Sequence, residues 1–153
     1  MRALGKDIFD YFGLGCRNVS KVFVKNQGQL TDLLDALESF SWVGNHHKYF
    51  NNYEYNKSIY LVNRTPHLDN GFLLLKESTD LVSPIGVLFY EIYSEEHELK
   101  TKLKDLDAKI QCVVGNQTMD LPGIIPFGQT QCPQPWDYAD GVDTLQFLSS
   151  LGD

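Results

Sequence analysis

The chain is short of cysteine, of basic residues and of long apolar runs, and each shortage excludes a class of protein. Three cysteines, Cys16, Cys112 and Cys132, occur in 153 residues. They show no Cys-X-X-Cys spacing, which argues against a zinc site and predicts no bound metal. An odd, sparse count is the pattern of reduced thiols rather than of a disulfide scaffold. The segment Met1–Asp7 has no apolar stretch ahead of a cleavage site, so the expectation is a cytoplasmic chain without a signal peptide.

Lys and Arg number 13 against 20 Asp and Glu, a formal charge of −7. Phosphate backbones need clustered cations, so nucleic acid is not an expected partner. No apolar run approaches the roughly 20 residues that span a bilayer, which predicts no membrane insertion. The chain also lacks the Gly-X-Gly-X-X-Gly fingerprint of dinucleotide folds, a phosphate loop ending in Gly-Lys-Ser/Thr, and a Gly-X-Ser-X-Gly elbow. It has no internal repeat, low-complexity tract or linker. Its length fits a single domain over 1–153.

What is present alternates between short apolar runs and helical stripes. Leu4, Ile8, Tyr11 and Phe12 mark one helix face, stopped by Gly13 and Gly15. Ser20 to Val24 reads as a strand. Leu30, Leu33, Leu34 and Leu37 form a second stripe. The stretch from Asn45 to Tyr60 reads as helical early on and as a strand at Ile59 to Val62. A loop at 66–71 precedes apolar runs at 72–75 and 85–92. Ser94 reads as the N-cap of a helix carrying Leu99, Leu103 and Leu106, and Ile110 to Val114 as a further strand. Residues 116–135 read as a long loop, and 142–151 as a short final helix. Strands that are nearly all apolar and alternate with helices predict a layered α/β/α domain with a mostly parallel sheet.

Among residues able to carry chemistry, Cys16 stands out. It lies in a Gly-Leu-Gly-Cys-Arg-Asn turn, where the glycines leave room for close approach; Arg17 and Lys21 favour a thiolate, the position after a helix C-terminus opposes it, and the activation is left open. The competing reading is a small buried residue. Cys112, within an apolar run, reads as core. His46 and His47 are adjacent, so they diverge on a helix and read as surface or interface residues; His67 and His97 read as structural or solvated. Tyr49, Phe50, Tyr53, Tyr55 and Tyr60 read as core or interface packing, with an acyl tunnel as the alternative.

Three segments resemble the aldehyde dehydrogenase superfamily. Gly15-Cys16-Arg17-Asn18-Val19-Ser20-Lys21-Val22-Phe23-Val24 is similar to its catalytic-cysteine segment, Asp80-Leu81-Val82-Ser83-Pro84-Ile85 to its ribose-binding segment, and Pro126-Phe127-Gly128-Gln129 to its Pro-Phe-Gly-Gly turn. Asp80 stands where that family usually has Glu. Longer strings, Asp10–Lys21, His46–Tyr53, Pro66–Gly71 and Trp136–Asp143, resemble the LuxC-type fatty acyl-CoA reductases across nearly the whole chain. The resemblance implies an aldehyde-dehydrogenase-like catalytic domain with Cys16 as acyl-accepting nucleophile. It also implies acyl-CoA as substrate, NADPH as the hydride donor of the full enzyme, and Asp80 and Val82 on the cofactor side. Only 15 residues precede Cys16, so the expectation is a half without its N-terminal dinucleotide-binding partner. Alone it should bind no cofactor tightly and should not turn over. It should also expose an apolar face that drives homo-oligomerisation. A cysteine acyltransferase or thioesterase without reduction, and a non-catalytic interaction domain, are the alternatives.

Overall fold

The computed structural model describes residues 1–116, 121, 123–138 and 141–152. Gln117–Asp120 and Pro122 of the long loop lie outside the described residues, as do Ala139 and Asp140 of the Trp136–Asp143 string. The elements in order are α1 (Leu4–Phe9), β1 (Lys21–Val24), α2 (Gly28–Leu37), α3 (His47–Val62), β2 (Leu68–Asp69), β3 (Leu74–Glu77), β4 (Val87–Ile92), α4 (Glu96–Asp105) and α5 (Thr144–Ser150). Single-turn 3-10 segments follow α1 and α4, and a longer one, Glu38–Asn45, joins α2 to α3.

The architecture is mixed helix and strand around a four-stranded mixed sheet of order β1-β4-β3-β2. β4 pairs in parallel with both β1 and β3, and β2 pairs antiparallel with β3. The antiparallel pair follows from the Asp69-Asn70-Gly71 turn. The Asp69 carboxylate accepts from Gly71 N–H at 2.8 Å, and Asn70 Oδ1 from Leu73 N–H at 2.9 Å, so the chain reverses between Asp69 and its partner Leu74.

Pleating sends alternate residues of β4 to opposite faces. Val87 and Phe89, with Leu74 of β3, pack against Tyr53 and Tyr60 of α3. Leu75 and Leu88 join the other core, with Ile8 and Phe9 of α1 and Leu30, Leu33 and Leu37 of α2. At its far end the first face becomes ionic. Lys21 of β1 donates to Glu91 of β4 at 2.7 Å with only 4% of its side chain exposed, and Lys102 of α4 pairs with the second oxygen of Glu91. Burial alone would raise the Glu91 pKa; the bonds from Lys102 and Lys21 outweigh it and hold the carboxyl below its ordinary value. Gly86 lets β4 enter against α3: its φ is +79°, and a Cβ there would stand 2.8 Å from Tyr53 Cα.

Four readings of the sequence change. Ile59 to Val62 is helix, not strand. The buried positions Tyr49, Tyr53, Asn56 and Tyr60 recur at helical spacing through the whole of α3, whereas Val62 is 83% exposed. Tyr49, Tyr53 and Tyr60 are core, while Phe50 and Tyr55 face solvent. Ile110 to Val114 forms no strand; Val114 alone makes an isolated bridge, to Ile125. The N-cap of α4 is Glu95 rather than Ser94. Helix α1 stops at Phe9, because Tyr11, Phe12 and Gly13 all take left-handed φ. Among the described residues no helix is long and apolar enough to cross a membrane.

Candidate active site at Cys16

Cys16 sits in the connection between α1 and β1. Three consecutive residues there, Tyr11, Phe12 and Gly13, have φ of 55°, 58° and 76°. A left-handed non-glycine residue costs on the order of 1–3 kcal/mol, so the loop needs outside support. Phe12 supplies part of it, stacking on His46 with ring centroids 3.9 Å apart and meeting Trp42 edge-on at 6.1 Å. His46 is itself fixed as the N-cap of α3, its Nδ1 accepting from Tyr49 N–H at 3.3 Å. His47 is exposed. His67 Nδ1 lies 2.8 Å from Thr65 O, and His97 is exposed on α4.

The turn that carries the thiol is closed by Asn18. Its N–H donates to Gly15 O at 3.0 Å, and its Oδ1 accepts from Gly15 N–H at 2.6 Å. Its Nδ2 donates to Asp7 O and to Asp10 O, each at 2.9 Å. Asn18 thereby satisfies carbonyls left over where α1 ends. Gly15 tolerates no side chain: a Cβ would lie 2.6 Å from Asn18 Oδ1 and 3.2 Å from Gln131 Nε2.

A second clamp ties this turn to the loop after Ile125. Asp7, 1% exposed, accepts from Gly128 N–H at 2.5 Å and from both the N–H and the Oγ of Thr130 at 3.0 Å. Thr130 is fully buried and returns its carbonyl to Arg17 Nε at 2.6 Å. Arg17 also lies 3.8 Å from the Asp137 carboxylate. The thiol residue is thus flanked by Gly15, held by the nearby Asn18 side chain, and by Arg17, whose own side chain is held by the distant Thr130 carbonyl. Among the described residues, no protein acceptor takes the backbone N–H of Cys16 or of Arg17.

Cys16 is exposed and stands on the walls of two cavities, of about 440 and 410 Å³. Both volumes lie within the range usual for small-ligand pockets. The larger one runs along β1 and is walled mainly by apolar side chains, among them Leu33, Leu99, Leu103 and Phe127. Val82 is 80% exposed and lines both cavities. Asp80 lines neither. It is exposed on the β3–β4 connection, with Ser78 Oγ donating to its carboxylate at 3.3 Å. Ser20 Oγ, donating to Leu81 O at 2.7 Å, tethers that connection to the start of β1. Of the three site residues read from sequence, the fold therefore brings Cys16 and Val82 together and leaves Asp80 off the walls that carry the thiol.

Cys112 is half-buried rather than core, and its Sγ lies 3.9 Å from Arg17 O. Burial pushes its thiol pKa up; Arg17 opposes that, and Asp7, Cys16 and Asp137 add to it. Cys132 is exposed. Among the described residues no group of three His, Cys, Asp or Glu side chains could hold a metal ion. No family model matches the chain, and neither a curated protein nor a solved structure is found to match it.

Proposed function

We propose that this chain is the acyl-accepting catalytic domain of a LuxC-type fatty acyl-CoA reductase, a layered, aldehyde-dehydrogenase-like α/β/α domain in which Cys16 forms the acyl-enzyme. One observation carries the reading: an exposed thiol, on a turn fixed from both sides, opens onto two cavities, the larger of them mainly apolar. The thiolate attacks the carbonyl carbon of an acyl-CoA. A new carbon–sulfur bond to Cys16 forms, the bond to CoA breaks, and CoA leaves as its thiolate. The Cys16 N–H, without another acceptor among the described residues, is the donor assigned to the developing oxyanion. The apolar cavity along β1 takes the acyl chain.

NADPH is the reductant that the resemblance attaches to the whole enzyme. The residues here do not fit it as a ligand of this chain. Asp80, the carboxylate expected on the ribose, lies outside both cavities that carry Cys16, and its carboxylate accepts from Ser78. Val82 alone stands beside the thiol. The chemistry assigned to this chain therefore stops at the acyl-enzyme, and reduction to a fatty aldehyde belongs to the longer protein.

The test is intact mass after brief incubation with a long-chain acyl-CoA, on the parent chain and on Cys16→Ala. The expected result is one acyl adduct on the parent, absent from the variant, and no NADPH oxidation. Steady-state release of free acid or acyl transfer without NADPH would instead select a thioesterase or acyltransferase. A folded parent that takes no acyl group would refute the assignment of Cys16.

A further inference from the structure

Cys112 has no part in the acyl chemistry, yet the fold sets it beside the nucleophile's turn. Its Sγ lies 3.9 Å from the carbonyl of Arg17, the residue next to Cys16, and both cysteines line the same 440 Å³ cavity. The segment that carries Cys112 belongs to no sheet. Its backbone is tied by Ile125 N–H to Val113 O at 2.8 Å and by Gly115 N–H to Ile125 O at 3.0 Å. That segment and β1 both line the cavity. A half-buried thiol outside the sheet, lining the same cavity as an exposed thiol, is placed to resolve an oxidised nucleophile.

We propose that Cys16 and Cys112 form a reversible disulfide when the chain meets a hydroperoxide, and that this bond protects Cys16 from irreversible oxidation while withdrawing it from acyl transfer. In the first step the Cys16 thiolate attacks the peroxide oxygen. The O–O bond breaks, the sulfur is oxidised to sulfenic acid, and the leaving alkoxide or hydroxide takes a proton. In the second, Cys112 gives up its proton and its sulfur attacks the sulfenic sulfur. The S–S bond forms and hydroxide leaves, to combine with that proton as water. A dithiol reverses both cysteines to thiols.

Disulfide geometry requires Cα atoms about 4.4–6.8 Å apart, so the linked state fixes the Cys112 segment against the Cys16 turn. The inference rests on the reading of Cys16 as the reactive thiol. It is measured without acyl-CoA, so a failed acylation and a failed cross-link are separate results.

The experiment treats the whole chain with hydrogen peroxide, then counts free thiols and maps peptides without reduction. The expected result is a fall from three free thiols to one, a linked Cys16–Cys112 peptide, and full recovery with dithiothreitol. In Cys112→Ser that peptide is absent and Cys16 advances to sulfinic acid; Cys112→Ala serves if the serine variant does not fold. Cys132→Ser keeps the link. Sulfinic acid at Cys16 in the parent with Cys112 still free, a Cys16–Cys132 link, or no oxidation of Cys16 would each overturn the proposal.

Discussion

Two of the stretches that lie outside the sheet, the Cys16 turn and the C-terminal stretch from Trp136, are built in opposite ways. The Cys16 turn is fixed by buried polar groups: Asp7 and Thr130, 1% and 0% exposed, join it to the loop after Ile125, and Asn18 closes it. The stretch from Trp136 to Leu151 leaves its large apolar side chains in solvent, with Trp136 69%, Leu145 80% and Phe147 55% exposed. Hydrogen bonds to buried groups are directional and fix a geometry, whereas an undocked apolar helix fixes none. The difference teaches where accuracy is demanded. Directional bonding is concentrated around the turn that carries Cys16, whereas the large apolar side chains of the tail stay exposed.

Substitutions break or sharpen that contrast. The largest effect is expected from Asp7→Ala, which strips the acceptor from two backbone N–H groups and a hydroxyl at once. Orphaned buried donors cost about 1–3 kcal/mol each, so urea titration should show a loss on the order of 3 kcal/mol or more. Glu91→Gln leaves Lys21, 4% exposed in its side chain, without its counter-charge, and about 3 kcal/mol should be lost. The sign of its pH dependence is fixed. The folded pKa of Glu91 lies below the ordinary 4.5, so its contribution is full above 4.5 and fades as pH falls through the folded value. Denaturation of the parent followed by acid titration should show that fading, and Glu91→Gln should lack it.

Asn18→Ala comes next, with about 1–3 kcal/mol lost as Gly15 N–H loses its acceptor and the Asp10 carbonyl a donor, while the Asp7 carbonyl keeps Val19 N–H at 2.9 Å. At the bottom stands Leu148→Ser in α5. That side chain is 57% exposed, and the change should stay within about 0.5 kcal/mol by the same titration. An effect as large as that of Asn18→Ala would show that α5 docks in solution and would dissolve the contrast.

The sequence made some of this legible and hid the rest for physical reasons. The leucine stripe of α2 and the apolar runs of β3 and β4 were readable because their periods are local. The end of α3 was misread, because Ile59-Tyr60-Leu61-Val62 has the composition of a strand, while its tyrosines keep helical spacing. Cys16 was singled out by the glycines before it and by the resemblance around it, and the fold leaves it exposed on the walls of two cavities. Asn18 lay in that same string, but its role as the brace of the turn depends on carbonyls freed where α1 ends. Asp7 and Thr130 were invisible. An acidic residue on a short helix reads as solvated, and nothing in the sequence announces a partner 123 positions away. Asp80 shows the reverse: the family wording singled it out, and the fold leaves it off the cavity walls that hold the thiol.

The most direct measurement compares two rates at the same sulfur, acylation of Cys16 by a long-chain acyl-CoA and its alkylation by iodoacetamide, in the parent chain and in Asn18→Ala. If the braced turn aims the thiol and its N–H at an acyl carbonyl, acylation should fall by about 10–100-fold while alkylation stays near the parent rate, because misplacement penalises only the reaction that needs geometry. Equal changes in both rates, or none in either, would contradict the claim that this turn is built to present Cys16 as an acyl acceptor.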